Sequence, residues 1–280
     1  MGVSLDAGNS KIVWGDPAHG MGKKIPIAIG DIRHIGRLTQ ENFGEVCRVI
    51  NKVTLTPWYP LGLSRANHDG THSARQARML QVVLKTFEKE PDHSCVTSLS
   101  QEERILLQLA AYLLRSGRVD ESSHIDFNPD DYNARSALIF EEYAKQLDAS
   151  QDTCRWVKNL VFYSCKPLPD KSIEQSPKQT LCWRSLSIVH ELDLIRCFEK
   201  KDIEGRVKSL VKHNLSSYVS SSNSVVEKLF AFSKDLCAAT GCYRVYDSHS
   251  GNRDLFAQCS SNGDFCWAKV SAMYSKELER

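Results

Sequence analysis

The chain has 280 residues, 41% hydrophobic and 25% charged, the make-up of an ordinary globular protein long enough to bury a sizeable core. A formal net charge of +2, with no run of Lys and Arg that could track a phosphate backbone, excludes a nucleic-acid-binding role, so any basic function must be local. No stretch approaches the roughly 18 apolar residues of a membrane span, and residues 1–7 lack the basic and long apolar regions of a secretory signal.

Met1-Gly2 opens a myristoylation motif, but that motif wants Ser or Thr where Asp6 stands. Ten cysteines occur with no Cys-x-x-Cys pair, several of them inside apolar helical segments, and they read as reduced core thiols in a cytosolic setting. Only the first fifty-odd residues carry strand patterning, for instance over 24–29, and residues 1–56 read as an N-terminal arm packing on a helical domain of residues 57–280.

The segment 64–78 gathers two histidines, His68 and His72, with Arg65, Arg75 and Arg78 where a Gly-containing turn runs into a helix. Imidazoles and guanidinium groups at one turn point to chemistry on an anion, above all a phosphate. Apolar spacing through Ala74, Ala77, Leu80, Leu84 and Phe87 predicts a helix over 73–90, stopped by Pro91. If that helix begins near His68, then His72 and Arg75 stack on one face with His68 at the positive end of the helix dipole.

A second helix is predicted over 98–116, capped by Ser98 or Ser100 and apolar almost all round, which places it at the centre of the core; Gly117 ends it. A polar loop holding Glu121 follows, then helices over 131–147 and 152–165, and a surface loop over 168–179. Further helices are predicted over 181–199, 202–213 and 224–240, and the last forty residues read as loop and short extended pieces. The fold class is mainly α: a single compact helical domain with little strand content.

Chemistry on a phosphate by imidazole needs one histidine as nucleophile or base and a second as acid. His190 is the candidate partner for His68, on a core-facing helix with Leu186, Val189 and Leu194, and Arg196 lies within reach along it. Glu121 is the candidate carboxylate that fixes an imidazole's tautomer through its second nitrogen. Each has a plainer reading: a lone histidine on an apolar helix face is more often structural than catalytic, and a loop carboxylate is usually solvated.

A metal site competes with this. His68-Asp69 is an adjacent His-Asp pair of the kind used by metal-dependent phosphohydrolases of the HD class, with His34 and Asp193 as available further ligands, although His34 has no supporting pattern around it. His68 and His72 also have zinc-binding i, i+4 spacing, but the Glu of the protease motif does not follow His68.

Several ordered pieces of the chain resemble the phosphodiesterase domain of the Legionella SidE-family effectors. They are Asn67-His68-Asp69-Gly70-Thr71-His72-Ser73-Ala74-Arg75, the run 111–121 ending in Glu121, Asp131-Tyr132-Asn133-Ala134-Arg135-Ser136-Ala137, the run 190–197 beginning at His190, and Ala239-Thr240-Gly241. The resemblance runs from about Pro57 to Trp267 and implies a helical fold with metal-independent phosphodiester cleavage and no cofactor. Carried over by position, it implies His68 as the nucleophile on phosphorus, His190 as general acid, Glu121 as the orienting carboxylate and Arg196 near the phosphate; Arg65 and His72 of the 64–78 stretch complete the candidate phosphate-binding set.

The resemblance further implies ubiquitin bearing ADP-ribose or phosphoribose as the partner, along with serine-modified proteins, and a bacterial effector acting in the host cytoplasm. The chain has no room for the ADP-ribosyltransferase domain of the large effectors, so it is similar in type to the stand-alone relatives that release phosphoribosyl-ubiquitin from serine. A ligase-type module, a metal phosphohydrolase and a ubiquitin-binding module with decayed catalysis are the alternative readings.

Overall fold

The computed structural model describes residues 4–6, 11–13, 26–55, 70–90, 98–117, 129–164, 176–197 and 203–239. The main elements among these residues are eight helices: α1 (Phe43–Ile50), α2 (Gly70–Glu88), α3 (Gln101–Leu113), α4 (Pro129–Gln146), α5 (Gln151–Phe162), α6 (Pro177–Asp193), α7 (Ile203–Leu215) and α8 (Ser222–Ala239). The mainly α fold expected from the sequence is the fold observed.

Strand content among the described residues is three three-residue strands, β1 (Ser4–Asp6), β2 (Lys11–Val13) and β3 (Pro26–Ala28). They form an antiparallel meander with Leu5 opposite Ile12 and Ile12 opposite Ile27. The segment 24–29 therefore does hold a strand.

Helix α1 lies in the N-terminal region, where the sequence led to no helix. It is amphipathic: Phe43, Val46, Cys47 and Ile50 recur at helical spacing and are all buried, which outweighs the β-branched content of its flanks. A π-helical turn, Asn51–Leu55, continues it. The side chain of Tyr143 on α4 ties this region to the bundle, its hydroxyl accepting from Gly30 N at 3.0 Å and bonding Thr54 Oγ1.

Helix α3 starts at a complete capping box. Ser100 Oγ accepts from Glu103 N at 3.1 Å, and Glu103 Oε2 accepts from Ser100 N at 2.8 Å. Every residue from Ile105 through Leu113 is buried, so α3 is the central helix its apolar run predicts. Helix α6 begins four residues earlier than its apolar pattern, because Ser176 Oγ caps Gln179 N and Pro177 fits the first turn, where no backbone donor is needed.

α2 lies against α3 on one side and against α6 and α8 on another, while α4 pairs with α5 and α7 covers α6. The buried apolar side chains of these helices form one continuous core. Cys47, Cys154, Cys182 and Cys237 are buried within it. The loops expected over 118–124, 168–175 and 241–280 lie outside the described residues.

Candidate active site

Two short stretches bring polar side chains into this apolar interior. His72, Arg75 and Gln76 occupy successive turns of the first half of α2, and His190 and Asp193 lie one turn apart at the C-terminal end of α6. A third contribution comes from Arg115, just past the end of α3, and from Tyr132 and Asn133 in the first turns of α4. His72, Arg75, Gln76, Arg115, Asn133 and Asp193 are all buried, a concentration of polar groups that a helical core accommodates only when they satisfy one another.

Asp193 is one centre of this cluster. Its Oδ2 accepts from His72 Nδ1 at 2.5 Å, and the fork of Arg75 donates to both oxygens, from Nε to Oδ1 at 2.5 Å and from Nη2 to Oδ2 at 3.1 Å. The carboxylate can only accept, so the His72 proton is on Nδ1 and Nε2 is the nitrogen turned away from Asp193. The face shared by His72 and Arg75 is the one the sequence spacing gives, but the anion it meets among the described residues is Asp193.

His190 is the other centre. Arg115 Nη2 lies 2.9 Å from His190 Nε2, and Gln76 Nε2 lies 3.3 Å from His190 Nδ1. Arg115 Nη1 is meanwhile held by Tyr132 Oη at 2.8 Å and Asn133 Oδ1 at 3.4 Å, and Asn133 is anchored in turn through its Nδ2 to Ser164 O at 3.1 Å. The rings of His72 and His190 stand edge to face at 73°, their centroids 6.4 Å apart. Two imidazoles, His72 held through Nδ1 and His190 contacted at both nitrogens, thus face one another across the α2–α6 interface.

The close approach of Gly117 fixes how α3 ends beside α4. A Cβ there would stand 2.3 Å from Tyr132 O and 2.5 Å from Ser136 N, backbone atoms with no room to yield. Its own N and O are bonded by Ser136 Oγ at 2.9 Å and Arg135 Nε at 2.6 Å. This contact places Arg115 and Tyr132 side by side. Gly70 has a comparable role at the start of α2, where a Cβ would run into the Asn51 carboxamide.

Glu191, next to His190, faces α7 instead, where Asn214 Nδ2 donates to both of its oxygens at 3.3 and 3.1 Å. Burial pushes its carboxyl up to about 7, against the opposing effect of the Asn214 bond.

Of the residues proposed from sequence, His72 and His190 are brought together here. Arg196 belongs to the 3-10 helix Leu194–Cys197 that follows α6, and its side chain lies outside the described residues, as do Arg65, His68 and Glu121. Of the alternative metal ligands, His34 stands exposed in the 3-10 turn Arg33–Ile35, whereas Asp193 is buried with its oxygens engaged by His72 and Arg75. Among the described residues no group of three or more His, Cys, Asp and Glu side chains could hold a metal ion.

Arg115, Gln76 and Asn133 were not picked out from sequence. The available signal was an arginine at the end of ten nearly unbroken apolar residues, and a glutamine one turn after His72, since a polar group in such a place must have a partner. What that partner is depends on α3, α4 and α6 meeting, which no spacing along one helix reveals.

A helical bundle that buries paired histidines with guanidinium groups and a carboxylate has the composition of a phosphate-processing site. Residues 42–246 match the SidE phosphodiesterase (PDE) domain, and the chain belongs to that family, so it carries a SidE-type phosphodiesterase domain. No curated protein matches the sequence. Among solved structures, the crystal structure of lpg1496 under 300 MPa superposes with a TM-score of 0.53 at 19% identity, over 75% of this chain and 76% of that one. The C-terminal domain of lpg1496 from Legionella pneumophila in complex with nucleotide gives a TM-score of 0.53 at 18% identity over the same shares. At these identities the likeness shows a common fold. No helix among the described residues is long and apolar enough to cross a membrane.

Proposed function

We propose that the protein is a phosphodiesterase that cleaves the bond between phosphoribose and serine in phosphoribosyl-linked ubiquitin conjugates, and that it processes ADP-ribosyl-ubiquitin to phosphoribosyl-ubiquitin and AMP. The observation that carries this reading is the polar cluster joining His72, Asp193 and Arg75 to His190 and Arg115 within a SidE-type phosphodiesterase domain.

In this mechanism a ring nitrogen of His68 attacks phosphorus, and the bond from phosphorus to the serine oxygen breaks. His190 gives its proton to that departing oxygen, leaving phosphoribosyl-ubiquitin on His68 as a phosphohistidine. A water, deprotonated by the now neutral His190, then attacks phosphorus; the N–P bond breaks and phosphoribosyl-ubiquitin leaves with a terminal phosphate. Glu121 orients a histidine, Arg65 and Arg196 hold the non-bridging oxygens, and His72, as an imidazolium whose Nδ1–H is held by Asp193, donates Nε2–H to the same charge. No cofactor or metal takes part. The partners are modified ubiquitin and serine-modified proteins, and the setting is that of a secreted bacterial effector in the host cytoplasm, in keeping with its family.

Incubation with phosphoribosyl-serine-linked ubiquitin conjugates, and separately with ADP-ribosyl-ubiquitin plus an acceptor protein, tests the reading. Cleavage in the first without ligation in the second is expected, unchanged by EDTA and lost in His68→Ala. The rate should pass through a maximum with pH, because one imidazole must be neutral and the other protonated. Full activity of His68→Ala overturns the mechanism, and ligation exceeding cleavage reassigns the protein to the ligase type.

A further inference from the structure

Arg115 touches the very nitrogen that a general acid at position 190 would use. A guanidinium carries five N–H donors and no acceptor, so at 2.9 Å from Arg115 Nη2 the His190 Nε2 must be the acceptor and carries no proton in the structure. The proton of the neutral ring is then on Nδ1, which needs an acceptor of its own. Gln76 supplies one: its carboxamide lies against Nδ1, and its Oε1 is buried with no hydrogen-bond partner among the described residues. The oxygen and nitrogen of an amide are interchangeable by a half-turn, and the turned amide puts Oε1 on Nδ1–H. Arg115 and Gln76 together specify one tautomer of His190.

That tautomer cannot protonate a leaving group through Nε2. The fixed position of Arg115 supplies the way out. Tyr132 and Asn133 hold Nη1, and Asn133 is itself anchored to the end of α5, so Nη2 stays at the His190 ring. Any phosphate oxygen near enough to receive a proton from His190 Nε2 is therefore also within hydrogen-bond reach of Arg115 Nη2. A phosphodiester brings the negative charge that a guanidinium prefers over a neutral imidazole.

We propose that Arg115 is a phosphate-binding and positioning residue that keeps His190 unprotonated at Nε2 in the free protein and releases that nitrogen when a phosphodiester arrives, so that substrate binding takes up one proton. The proton comes from solvent, resides on Nε2 of a His190 imidazolium between Arg115 and the substrate, and leaves on the departing oxygen. Among the described residues, the groups about His190 while this happens are His72 and Gln76 from α2, with Arg75 behind His72; Asp193 one turn along its own helix; and Arg115 after α3, with Tyr132 of α4 behind it. Glu191 points instead to Asn214 on α7. The proposal rests on the phosphodiesterase reading given above, but its first half concerns the free protein alone.

The test has two arms. Nitrogen-15 NMR of the free protein at neutral pH should show His190 with a proton on Nδ1 and a bare Nε2, and Arg115→Met should shift the ring toward the Nε2–H tautomer, while Arg115→Lys retains the wild-type pattern. A protonated Nε2 in the free wild-type protein overturns the proposal even if the methionine variant fails to fold. In the second arm, ADP-ribosyl-ubiquitin is titrated into His68→Ala protein in PIPES and in Tris. Binding heats that differ by the uptake of about one proton are expected with Arg115 present and not with Arg115→Met; heats independent of buffer overturn it. No binding at all removes the phosphodiesterase reading, while the tautomer measurement still decides whether Arg115 governs His190.

Discussion

Asp193 and His72 share a 2.5 Å hydrogen bond between helices whose sequences are more than a hundred residues apart, and the carboxylate is simultaneously gripped by the fork of Arg75. The bond fixes the His72 tautomer, with Nε2 turned away from Asp193. It also closes a buried ion pair, whose loss is costlier than its formation is favourable, because removing one partner leaves the other charge in a medium that solvates it poorly.

Asp193→Asn is therefore expected to do two separable things. Stability should fall on the order of 3 kcal/mol, read as a lower urea midpoint, since Arg75 keeps its charge but loses the carboxylate. The amide can also donate where the carboxylate only accepted, permitting the wrong His72 tautomer. At a temperature where the variant is folded, kcat should drop about 100-fold with little change in KM. A variant that loses stability but keeps kcat would make Asp193 purely structural.

Gly117→Ala should destabilise the protein by about 1–3 kcal/mol or more, because the added methyl meets the backbone oxygen of Tyr132 and the backbone nitrogen of Ser136 and not a flexible side chain. Denaturant titration checks the stability. An alanine variant as stable as wild type would mean that the α3–α4 junction is looser than its contacts imply.

Glu191 gives stability a pH dependence of known sign. Its carboxyl is raised to about 7 in the folded protein by burial, from an ordinary value of 4.5, so the folded state disfavours the ionised form. Below the ordinary value both states are protonated and nothing is lost. As pH rises toward about 7 the unfolded chain ionises first and folding stability declines; beyond it the loss is complete. Allowing for partial exposure, the loss is on the order of 1–2 kcal/mol. Glu191→Gln should be about as stable as wild type at pH 4.5 and more stable at pH 8, and unfolding curves at the two values compare them directly.

Ser100→Ala removes half of the capping box of α3 and should cost about 1 kcal/mol, measured by thermal or urea unfolding. Because Arg115 lies just past the far end of this thirteen-residue helix from the cap, activity per folded molecule should not change. A variant with normal stability would show that tertiary packing alone holds the start of α3.

Much of this was legible along the chain. Apolar residues at helical spacing located α2 to α5, α7 and α8 to within three residues, and α6 less closely, because each of these helices buries one face, or in α3 much of its circumference, and burial imposes a period on sequence. The errors have local causes. Helix α1 is a short, eight-residue segment among β-branched neighbours, and the early start of α6 depends on a Ser-Pro cap and not on apolar spacing. The His72 and Arg75 face was readable from their spacing, and His190 from its position among apolar neighbours.

The amino-acid sequence by itself determined that α2 through α8 form, which faces they bury and that His72 and His190 lie on two of them, since these follow from periodicities and side-chain types within single segments. Tertiary structure alone decided that Asp193 belongs to His72 and Arg75, and that Arg115 and Gln76 bracket His190. Hydrogen bonds act over about 3 Å, and only the folding together of α2, α3, α4 and α6 brings groups so distant along the chain within that range.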